Sequence, residues 1–430
     1  MNAPAPDPQC MLLRRLHRAM LAAADPMNVV PPALPQPPRG RTVVVAVGKA
    51  AAAMALAVEA HWPPDAPLNG VAVVPQGSLL PLARLRALEA SHPVPDERST
   101  RAAAALLEAV KGLTPDDLVL ALISGGGSAL SALPAPGVSL EEKQAVTRQL
   151  LRSGAPISAM NVVRKHLSAI KGGRLALAAA PAPVVTLVIS DIPGDDPALV
   201  ASGPTVPDTS TCADALALLD RYEVQVSAGL RQRLMQGTLE SAKPHQLPHA
   251  AAPVIVASAG LGLRAAQAEA RRAGWQAHIL SDAIEGEARD IAAMHAAIAR
   301  HIAQAGQPFA PPCILLSGGE ATVTVRGQGR GGRNTEFALA LLQALQGEPG
   351  IWGGSVGTDG LDGSSGGAGA WIAPSAWHAG QQQGLSPQDF LDRSDSGGFF
   401  ERLGLLEHTG PTHTNINDFR ALLIEGQASA

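Results

Sequence analysis

The chain has 430 residues, of which 46% are hydrophobic and 16% charged, and its formal net charge at pH 7 is −4. This composition excludes a disordered protein, and the lack of a basic cluster argues against a nucleic-acid partner. Cys10, Cys212 and Cys313 are too far apart in the sequence for a zinc motif or a disulfide framework, so we expect a cytoplasmic protein.

The first predicted elements follow one another from the N-terminus. The sequence predicts an amphipathic helix over residues 10–24 and a stiff, proline-rich connector over 25–40. The apolar run over 42–60 contains Lys49 and Glu59, so it predicts a buried strand followed by a helix rather than a membrane span. Short Val/Ile/Leu runs then alternate with Ala-rich stretches, which indicates a parallel sheet covered on both faces.

One segment interrupts this alternation and is the predicted domain boundary. Residues 237–253 show no periodicity and contain three prolines. We therefore expect an N-terminal α/β domain over residues 1–240 and a C-terminal α/β domain over 250–430. The alternation resumes at 253–258, and the strand predicted over 321–326 is expected to run antiparallel to its neighbours.

Open α/β sheets bind ligands at the carboxyl ends of their strands, so the residues that follow each strand are the candidate site. Gly48 and Lys49 follow the first strand, where backbone amides and an ammonium group suit an anion, although a single lysine in a first turn is more often just solvated. Asp191 follows a later strand and suits Mg²⁺ or a general base. A third loop offers the amides of consecutive glycines and consists of Ser124, Gly125, Gly126, Gly127 and Ser128.

A helix predicted to end at Gly172 and Gly173 carries a polar face. Arg164 beside Asn161 would suit a carboxylate or a phosphate, but a solvated face explains the pattern equally well. The residues of this face are Asn161, Arg164, Lys165, Ser168 and Lys171.

Two glycine-rich loops supply the C-terminal candidates. The glycines of 327–332 match the dinucleotide pattern G-x-G-x-x-G, but two arginines lie in this loop and no acidic strand end follows about 20 residues later, so anion binding is favoured. Thr358, Asp359 and Asp362 lie on the second loop, where either aspartate is a metal ligand or a turn residue. The first loop and the strand end before it contribute Ser317, Gly318, Gly319, Glu320, Arg330, Arg333 and Asn334.

Together these loops contain the groups needed to bind a nucleoside triphosphate and a small anion. The sequence has no Walker motif, no protein-kinase signature and no nucleophile elbow. Its twelve histidines are scattered and form no H-E-x-x-H motif, which argues against zinc. A phosphotransferase with this sequence would therefore need a less common scaffold.

Several long strings closely resemble the glycerate 2-kinase family, whose C-terminal part is called the MOFRL domain. They span about Met11 to Ile424 and include VAVGKAAAAMA, LISGGGSALSALP, VISDIPGDDPALVASGPTVPD, LSGGEATVTVRGQGRGGRNTEFALA and TGPTHTNINDF. The resemblance implies transfer of the γ-phosphoryl group of ATP to the 2-hydroxyl of D-glycerate, with Mg²⁺. It also implies a Rossmann-like N-terminal domain, a mixed C-terminal sheet with its MOFRL region at about 310–425, and an active site in the cleft between the domains.

The resemblance further implies that Lys49, Asp191 and Arg333 are the polar residues of the reaction centre. Lys49 would neutralise phosphate charge, and Asp191 would accept the hydroxyl proton or bind Mg²⁺, with Asp359 as the other candidate metal ligand. Arg333 would hold the glycerate carboxylate or the transferring group, and Arg164 is the alternative for the carboxylate.

The chain departs from the family pattern at Thr335, at His413 where glycine is usual, and at Gly397 where an aromatic is usual. Histidine tolerates a positive φ better than most residues, so the change at 413 is possible. Two other functions stay open: an NAD(P)H-dependent hydroxypyruvate reductase, a name often given to this family, and a non-catalytic hydroxy-acid sensor. The missing ribose carboxylate argues against the first, and the presence of both Lys49 and Asp191 against the second. The sequence does not indicate an oligomeric state.

Overall fold

The computed structural model describes residues 7–426, which form two α/β units. The N-terminal unit is Pro26–Val256, and the C-terminal unit comprises the described residues of Met1–Asp25 and Ala257–Ala430. Within 7–426, no helix is both long enough and apolar enough to cross a bilayer. The predicted pair of α/β domains is thus confirmed.

The elements are numbered along the chain. The strands are β1 Thr42–Val47, β2 Leu68–Pro75, β3 Arg86–Ala90, β4 Leu118–Ser124, β5 Val184–Ile189, β6 Val254–Ala257, β7 Gln276–Ser281, β8 Gly286–Glu287, β9 Cys313–Ser317, β10 Ala321–Thr322, β11 Ile351–Gly357, β12 Gly369–Ile372, β13 Leu406–Glu407 and β14 Asp418–Ile424. The α-helices are α1 Pro8–Ala22, α2 Pro26–Val29, α3 Ala51–His61, α4 Glu97–Ala109, α5 Gly127–Leu130, α6 Leu140–Arg152, α7 Ile157–His166, α8 Arg174–Ala179, α9 Cys212–Arg221, α10 Ala228–Met235, α11 Ala259–Arg272, α12 Ala288–Ala305, α13 Arg333–Leu345, α14 Ser375–Gln382, α15 Pro387–Asp392 and α16 Ser396–Leu403.

The N-terminal unit is built on a parallel sheet with the strand order β3-β2-β1-β4-β5-β6. Every residue of β1 and β4 is buried, because helices and loops cover both faces of the sheet. This is the Rossmann strand order, and it confirms the predicted fold of this domain. The order reverses between β1 and β4, which is the position where such sheets bind their ligands.

The C-terminal unit contains a mixed sheet with the order β13-β12-β11-β14-β9-β7. Only the pair β7–β9 is parallel, and the remaining neighbours are antiparallel. Leu315 and Leu422 pack with residues of α12 and α13 in one apolar cluster, whereas α1 and α11 pack together and contact strands of the same sheet. The predicted mixed sheet is therefore confirmed.

Helix α1 belongs to the C-terminal unit, although its position in the sequence placed it in the predicted N-terminal domain of residues 1–240. Its buried residues, among them Leu13 and Met20, form an apolar face that packs on α11. Asp7 caps the helix by accepting hydrogen bonds from two backbone amides, and its other oxygen accepts the indole N–H of Trp352 at 3.1 Å. Apolar contact and capping therefore both attach α1 to the C-terminal sheet.

Two predicted strands differ from expectation, one in the sheet that it joins and the other in its length and orientation. Strand β6 was expected to open the second domain, but it is the edge strand of the N-terminal sheet, and the division falls after Val256. The aperiodic segment before it is bound to the N-terminal unit, since Ala251 donates its amide to the carbonyl of Val184 at 2.9 Å. The strand expected over 321–326 is reduced to β10, which pairs with β8 in parallel rather than antiparallel orientation.

Candidate functional site

The N-terminal candidate residues meet at the carboxyl ends of β1, β4 and β5. The amide of Lys49 donates to the carbonyl oxygen of Gly125 at 2.8 Å, and the amide of Ala50 donates to Oγ of Ser124 at 3.1 Å. A methyl group on Gly125 would lie 1.7 Å from Oδ2 of Asp191. The three loops are therefore in direct contact, and the glycine backbone separates the Lys49 segment from the Asp191 carboxylate.

Two further glycines of this region have close neighbours. Gly48 has a φ of 133°, and a Cβ there would lie 2.1 Å from Oγ of Ser124. Gly126 has a φ of 80°, and a Cβ there would lie 3.2 Å from Nε2 of His92 and 3.4 Å from Cγ of Lys49. Burial and the charge of Lys49 lower the pKa of His92, so a neutral imidazole lies beside the lysine at neutral pH.

A buried hydrogen-bond network holds the glycine loop 124–128 in position. Oγ of Ser128 lies 2.6 Å from Oγ of Ser202, and the Ser202 hydroxyl interacts with Oδ1 of Asn161 at 2.9 Å. Nζ of Lys171 donates to the carbonyl oxygen of Ser128 at 2.9 Å. Gly127 is packed against the methyl group of Ala201, where a Cβ would approach to 2.6 Å. Asn161 thus positions the loop.

The predicted polar helix face is largely buried. Helix α7 ends at His166, and the chain turns there instead of continuing as a helix to Gly172. Lys165, Ser168 and Lys171 are buried, so the solvated-face interpretation is wrong for them. These side chains can be buried because polar groups of the protein pair with them. For example, Oδ1 of Asp208 lies 3.3 Å from Nζ of Lys165.

In the C-terminal unit, the candidates surround Asp418, which the sequence analysis did not identify as a site residue. Strand β14 runs antiparallel between β9 and β11, so its first residue lies beside the last residues of both neighbours. Oδ1 of Asp418 accepts from Nε of Arg333 at 2.7 Å and from Nδ2 of Asn334 at 3.1 Å. Oδ2 accepts from Nη2 of Arg420 at 2.8 Å. Both Asp418 and Arg420 are fully buried.

Arg333 is held between two carboxylates. Its Nη1 donates to Oε1 of Glu320 at 2.5 Å, in addition to the bond from Nε to Asp418. Burial by itself would lower the pKa of Arg333, but the charges of Asp418, Glu320 and Asp359 raise it above its ordinary value. The guanidinium is therefore permanently charged, and its Nη2 makes no hydrogen bond to any residue within 7–426.

Asp362 caps the start of α13 and is not placed as a metal ligand. Its Oδ1 accepts the amide of Asn334 at 2.9 Å, and its Oδ2 accepts the amide and the hydroxyl of Thr335 at 2.9 and 2.7 Å. Burial raises the pKa of Asp362, while these hydrogen bonds oppose that rise. The side chain of Asp362 therefore caps a helix that is remote in sequence, a role that was not among the two predicted alternatives of metal ligand and turn residue.

Other predicted binding residues have structural partners instead of facing Arg333. Oγ of Ser317 lies 2.9 Å from Nε2 of the buried His295, and the hydroxyl of Thr358 donates to the carbonyl oxygen of Asn417 at 2.6 Å. The guanidinium of Arg330 is exposed and pairs with Glu401.

Two predicted glycines of the C-terminal unit make backbone contacts. The carbonyl oxygen of Gly318 accepts from Nη1 of Arg420 at 3.1 Å. Gly319, with a φ of 113°, lies so close to Ile284 that a Cβ would approach its backbone to 2.3 Å. Gly318 and Gly319 are also linked to Asp418, the first through Arg420 and the second by accepting the Asp418 amide at 3.1 Å.

The glycines that match the dinucleotide pattern serve close packing. A Cβ on Gly327 would lie 2.3 Å from the carbonyl oxygen of Arg393, and one on Gly329 would lie 2.4 Å from Cβ of Asp395. The loop follows the two-residue strand β10 rather than a long buried strand. Both facts support the rejection of a dinucleotide site there.

Two departures from the family pattern have structural counterparts. His413 has a φ of 57°, which is the left-handed conformation that favours glycine. Gly397 lies against the loop before β12, where a Cβ would be 2.7 Å from Cα of Ser365 and 2.8 Å from the carbonyl oxygen of Arg330. An aromatic side chain at 397 would require a different course of that loop.

One group of possible metal ligands lies apart from the predicted residues. His166, Cys212 and Glu240 offer donor atoms within 4.8 Å of one another, and no other such group of three occurs in residues 7–426. Lys243 already pairs with Glu240 at 2.8 Å, which balances the carboxylate charge.

Comparisons with known proteins agree along nearly the whole chain. Residues 12–235 match the family described as "Domain of unknown function (DUF4147)", and residues 313–418 match the MOFRL family. A putative hydroxypyruvate reductase of Agrobacterium vitis is 51% identical over 96% of this chain and 94% of its own length. D-glycerate 2-kinase of Thermotoga maritima is 39% identical over 96% of this chain and 98% of its own length.

A solved structure extends this relationship to the fold. The crystal structure of a glycerate kinase from Thermotoga maritima matches with a TM-score of 0.88 and 37% identity, covering 97% of this chain and 100% of that one. Family matches in both halves, full-length identity and the shared fold lead to one conclusion. The chain belongs to the glycerate 2-kinase family, whose C-terminal part is the MOFRL domain.

Proposed function

We propose that this protein transfers the γ-phosphoryl group of ATP to the 2-hydroxyl of D-glycerate, giving 2-phosphoglycerate and ADP. The observation that carries the proposal is the contact between the Lys49 segment, the Gly125 backbone and the Asp191 carboxylate. Phosphoryl transfer requires a cation, amide donors and a carboxylate near one another, because charge moves between oxygens during the reaction. The full-length relationship to the D-glycerate 2-kinase of Thermotoga maritima supports the choice of substrate.

The roles follow from the atoms that the reaction moves. The 2-hydroxyl oxygen attacks the γ-phosphorus, the bond from phosphorus to the β–γ bridging oxygen breaks, and ADP leaves with that electron pair. Lys49 neutralises charge on the phosphate oxygens, and the loop 124–128 presents its backbone to them. Asp191 either accepts the hydroxyl proton or holds Mg²⁺, which when bound would neutralise phosphate charge.

We assign Arg333 to the same reaction as the group that binds the glycerate carboxylate or the transferring phosphoryl group. Asp418 and Glu320 occupy its Nε and Nη1, so Nη2 is the atom we expect to contact substrate. Asp418 is then a positioning residue, because it fixes the guanidinium without reaching the ligand itself. Asp359, whose charge acts on Arg333, stays the second candidate for binding Mg²⁺.

The function is tested by incubating the purified protein with D-glycerate, ATP and Mg²⁺, with enolase as the reporter. Enolase accepts 2-phosphoglycerate but not the 3-isomer, so a signal with enolase alone establishes both the activity and the position of the phosphoryl group. No signal in this assay, combined with oxidation of NADH by hydroxypyruvate, would contradict the kinase and favour the reductase function.

A glycine substitution tests whether the position of Asp191 matters for turnover. Gly125 does not have a positive φ, so alanine adds no backbone strain and acts only through its methyl group, which collides with the Asp191 carboxylate. We expect Gly125→Ala to lower kcat by about 100-fold, since displacing a catalytic group by about 1 Å costs this much. The matched control is Gly229→Ala on α10, where no atom lies within 3.8 Å of the new methyl group. Equal kcat values for the two variants would contradict the assigned role.

We also place the protein in the cytoplasm. Cys10, Cys212 and Cys313 are all free and buried in the structure. Thiols that form no disulfide fit a reducing compartment.

A further inference from the structure

A cavity of about 340 Å³ opens beside the glycine loop of the N-terminal unit. Its wall contains four basic side chains, and none of the described residues that line it is acidic. The basic side chains are Lys143, Arg148, Arg164 and Lys171. Gly126 also lines the cavity, so it adjoins the backbone that contacts Lys49 and Asp191.

The two lysines are buried without a carboxylate partner in the described part of the chain. Nζ of Lys171 donates to the carbonyl oxygens of Ser128 and Ser131 at 2.9 and 3.0 Å, and Nζ of Lys143 donates to that of Leu167 at 2.9 Å. The residues are 1% and 6% exposed. Burying a cation without a counter-ion is costly, so an anion in the cavity would favour the charged forms of both lysines.

The two arginines of the wall are also without acidic partners. Arg164 is half-buried and Arg148 is exposed, and neither forms a hydrogen bond or an ion pair with another residue in 7–426. Arg164 instead adds its charge to those of Lys143 and Lys171. An anion that enters the cavity therefore meets donors that no protein group already occupies.

Apolar residues also line the cavity. They are the segment 93–95, Leu140 on the first turn of α6, and Leu151 near the end of that helix, and Lys143 and Arg148 lie between the two leucines on the same helix. Val94 is 66% exposed and Leu151 58% exposed, which is unusual for side chains of their size. The cavity thus combines basic side chains with apolar side chains that solvent can reach.

We propose that this cavity binds the adenine nucleotide, with the phosphates on the basic side chains and the base and ribose on the apolar side chains. The inference rests on the proposed kinase function and specifies which substrate occupies the N-terminal unit. A volume of about 340 Å³ lies within the usual range of about 300–1,000 Å³ for pockets that hold larger organic ligands. D-glycerate has a single charge and no ring, so it would leave most of the basic and apolar side chains without contacts.

Protonation provides a second signature of nucleotide binding. Burial and the charge of Arg164 lower the pKa of Lys171 to about 7, and burial likewise lowers the pKa of Lys143 well below its ordinary value. The other charged or titratable groups that line the cavity are Arg148 and His92. At about pH 8 Lys171 is largely neutral when the cavity is empty, and bound phosphates raise its pKa, so nucleotide binding takes up protons.

The experiment measures binding of ADP, tripolyphosphate and D-glycerate by calorimetry without turnover. Lys143→Met keeps the length of the side chain and removes its charge, and Arg148→Ala changes an exposed residue that folding does not require. Each of these two variants should lower the affinity for ADP and for tripolyphosphate by about tenfold or more. Leu151→Ser should lower the affinity for ADP but not that for tripolyphosphate. Lys111→Met, at an exposed ion pair outside the cavity, is the matched control.

The outcomes separate this inference from the proposed function. Unchanged ADP affinity in Lys143→Met and Arg148→Ala, with kinase turnover present in the wild type, overturns the cavity assignment and leaves the function intact. ADP affinity lost in these variants, with no 2-phosphoglycerate formed by the wild type, supports the nucleotide site and refutes the glycerate reaction. Weakened D-glycerate binding with unchanged ADP binding would make the cavity a substrate site and contradict the proposal.

Proton uptake is checked in the same instrument. ADP binding at about pH 8 in buffers of different ionisation enthalpy should show net proton uptake by the wild type. Melting temperatures of all variants are recorded, because removal of an unpaired buried cation should not lower the stability of Lys143→Met, whereas a merely structural lysine would. Absence of proton uptake by the wild type contradicts contact between the nucleotide and Lys171.

Discussion

Lys49→Met is expected to lower kcat by about three orders of magnitude, because it removes the charge that stabilises the moving phosphoryl group. Methionine keeps the aliphatic stem that lies beside Gly126, where the Cγ of Lys49 is the closest part of the lysine. The substitution changes only the side chain, which is half-buried, so the backbone hydrogen bond from residue 49 to Gly125 remains. Folding should therefore be preserved while the chemistry is lost.

This prediction is checked with the enolase-coupled assay and a thermal melt. The control Lys111→Met removes an exposed lysine that pairs only with Glu108, so its kcat should equal that of the wild type. A Lys49→Met enzyme whose kcat stays within about threefold of the control would exclude Lys49 from the reaction centre. A changed KM with constant kcat would assign it to ground-state binding alone.

Asp418→Asn is expected to destabilise the C-terminal unit by about 3–5 kcal/mol. All contacts of this buried carboxylate come from donors, including Arg333 on one oxygen and Arg420 on the other. An amide nitrogen in place of either oxygen faces a donor, and the fully buried Arg420 loses its counter-charge. Since about 1 kcal/mol corresponds to 2–4 °C for a unit of this size, the melting temperature should fall by about 10 °C.

The matched control for Asp418 is Asp220→Asn, which breaks an ion pair with Arg231 whose side chains are 54% and 41% exposed. Such pairs contribute at most about 1 kcal/mol, so the control should melt within a few degrees of the wild type. Equal melting temperatures for the two variants would show that the Asp418 charge is not needed in the folded protein. Any Asp418→Asn protein that remains folded should also have a raised KM for D-glycerate, since Arg333 is then less well oriented.

The strand-end residues of the N-terminal unit could be predicted because parallel strands all end at one edge of the sheet. Apolar runs located the strands, and Lys49 and Asp191 followed directly from them. The same rule missed Asp418, which begins its strand. In a mixed sheet, an antiparallel strand brings its first residue to the edge where its neighbours end, and the pairing partner of a strand is not visible in its local sequence.

Burial of charged residues was the second limit of the sequence analysis. Lys171 was identified as part of a polar helix face, and Lys143 was not singled out, because lysines are usually exposed and a sequence pattern cannot reveal carbonyl partners from distant segments. The amphipathic pattern of α1 predicted that it packs against something, but its partner α11 lies in the other half of the sequence. Tertiary contacts between remote segments decided both cases.

The membership of α1 in the C-terminal unit also sets an order of events during synthesis. The whole of Pro26–Val256 is translated between this helix and the next part of its unit, which takes roughly 10 to 50 s at the usual 5–20 residues per second. Throughout that interval Leu13, Leu16 and Met20 have no partner from their own unit. The apolar face of α1 therefore stays without its native partner until α11 emerges from the ribosome.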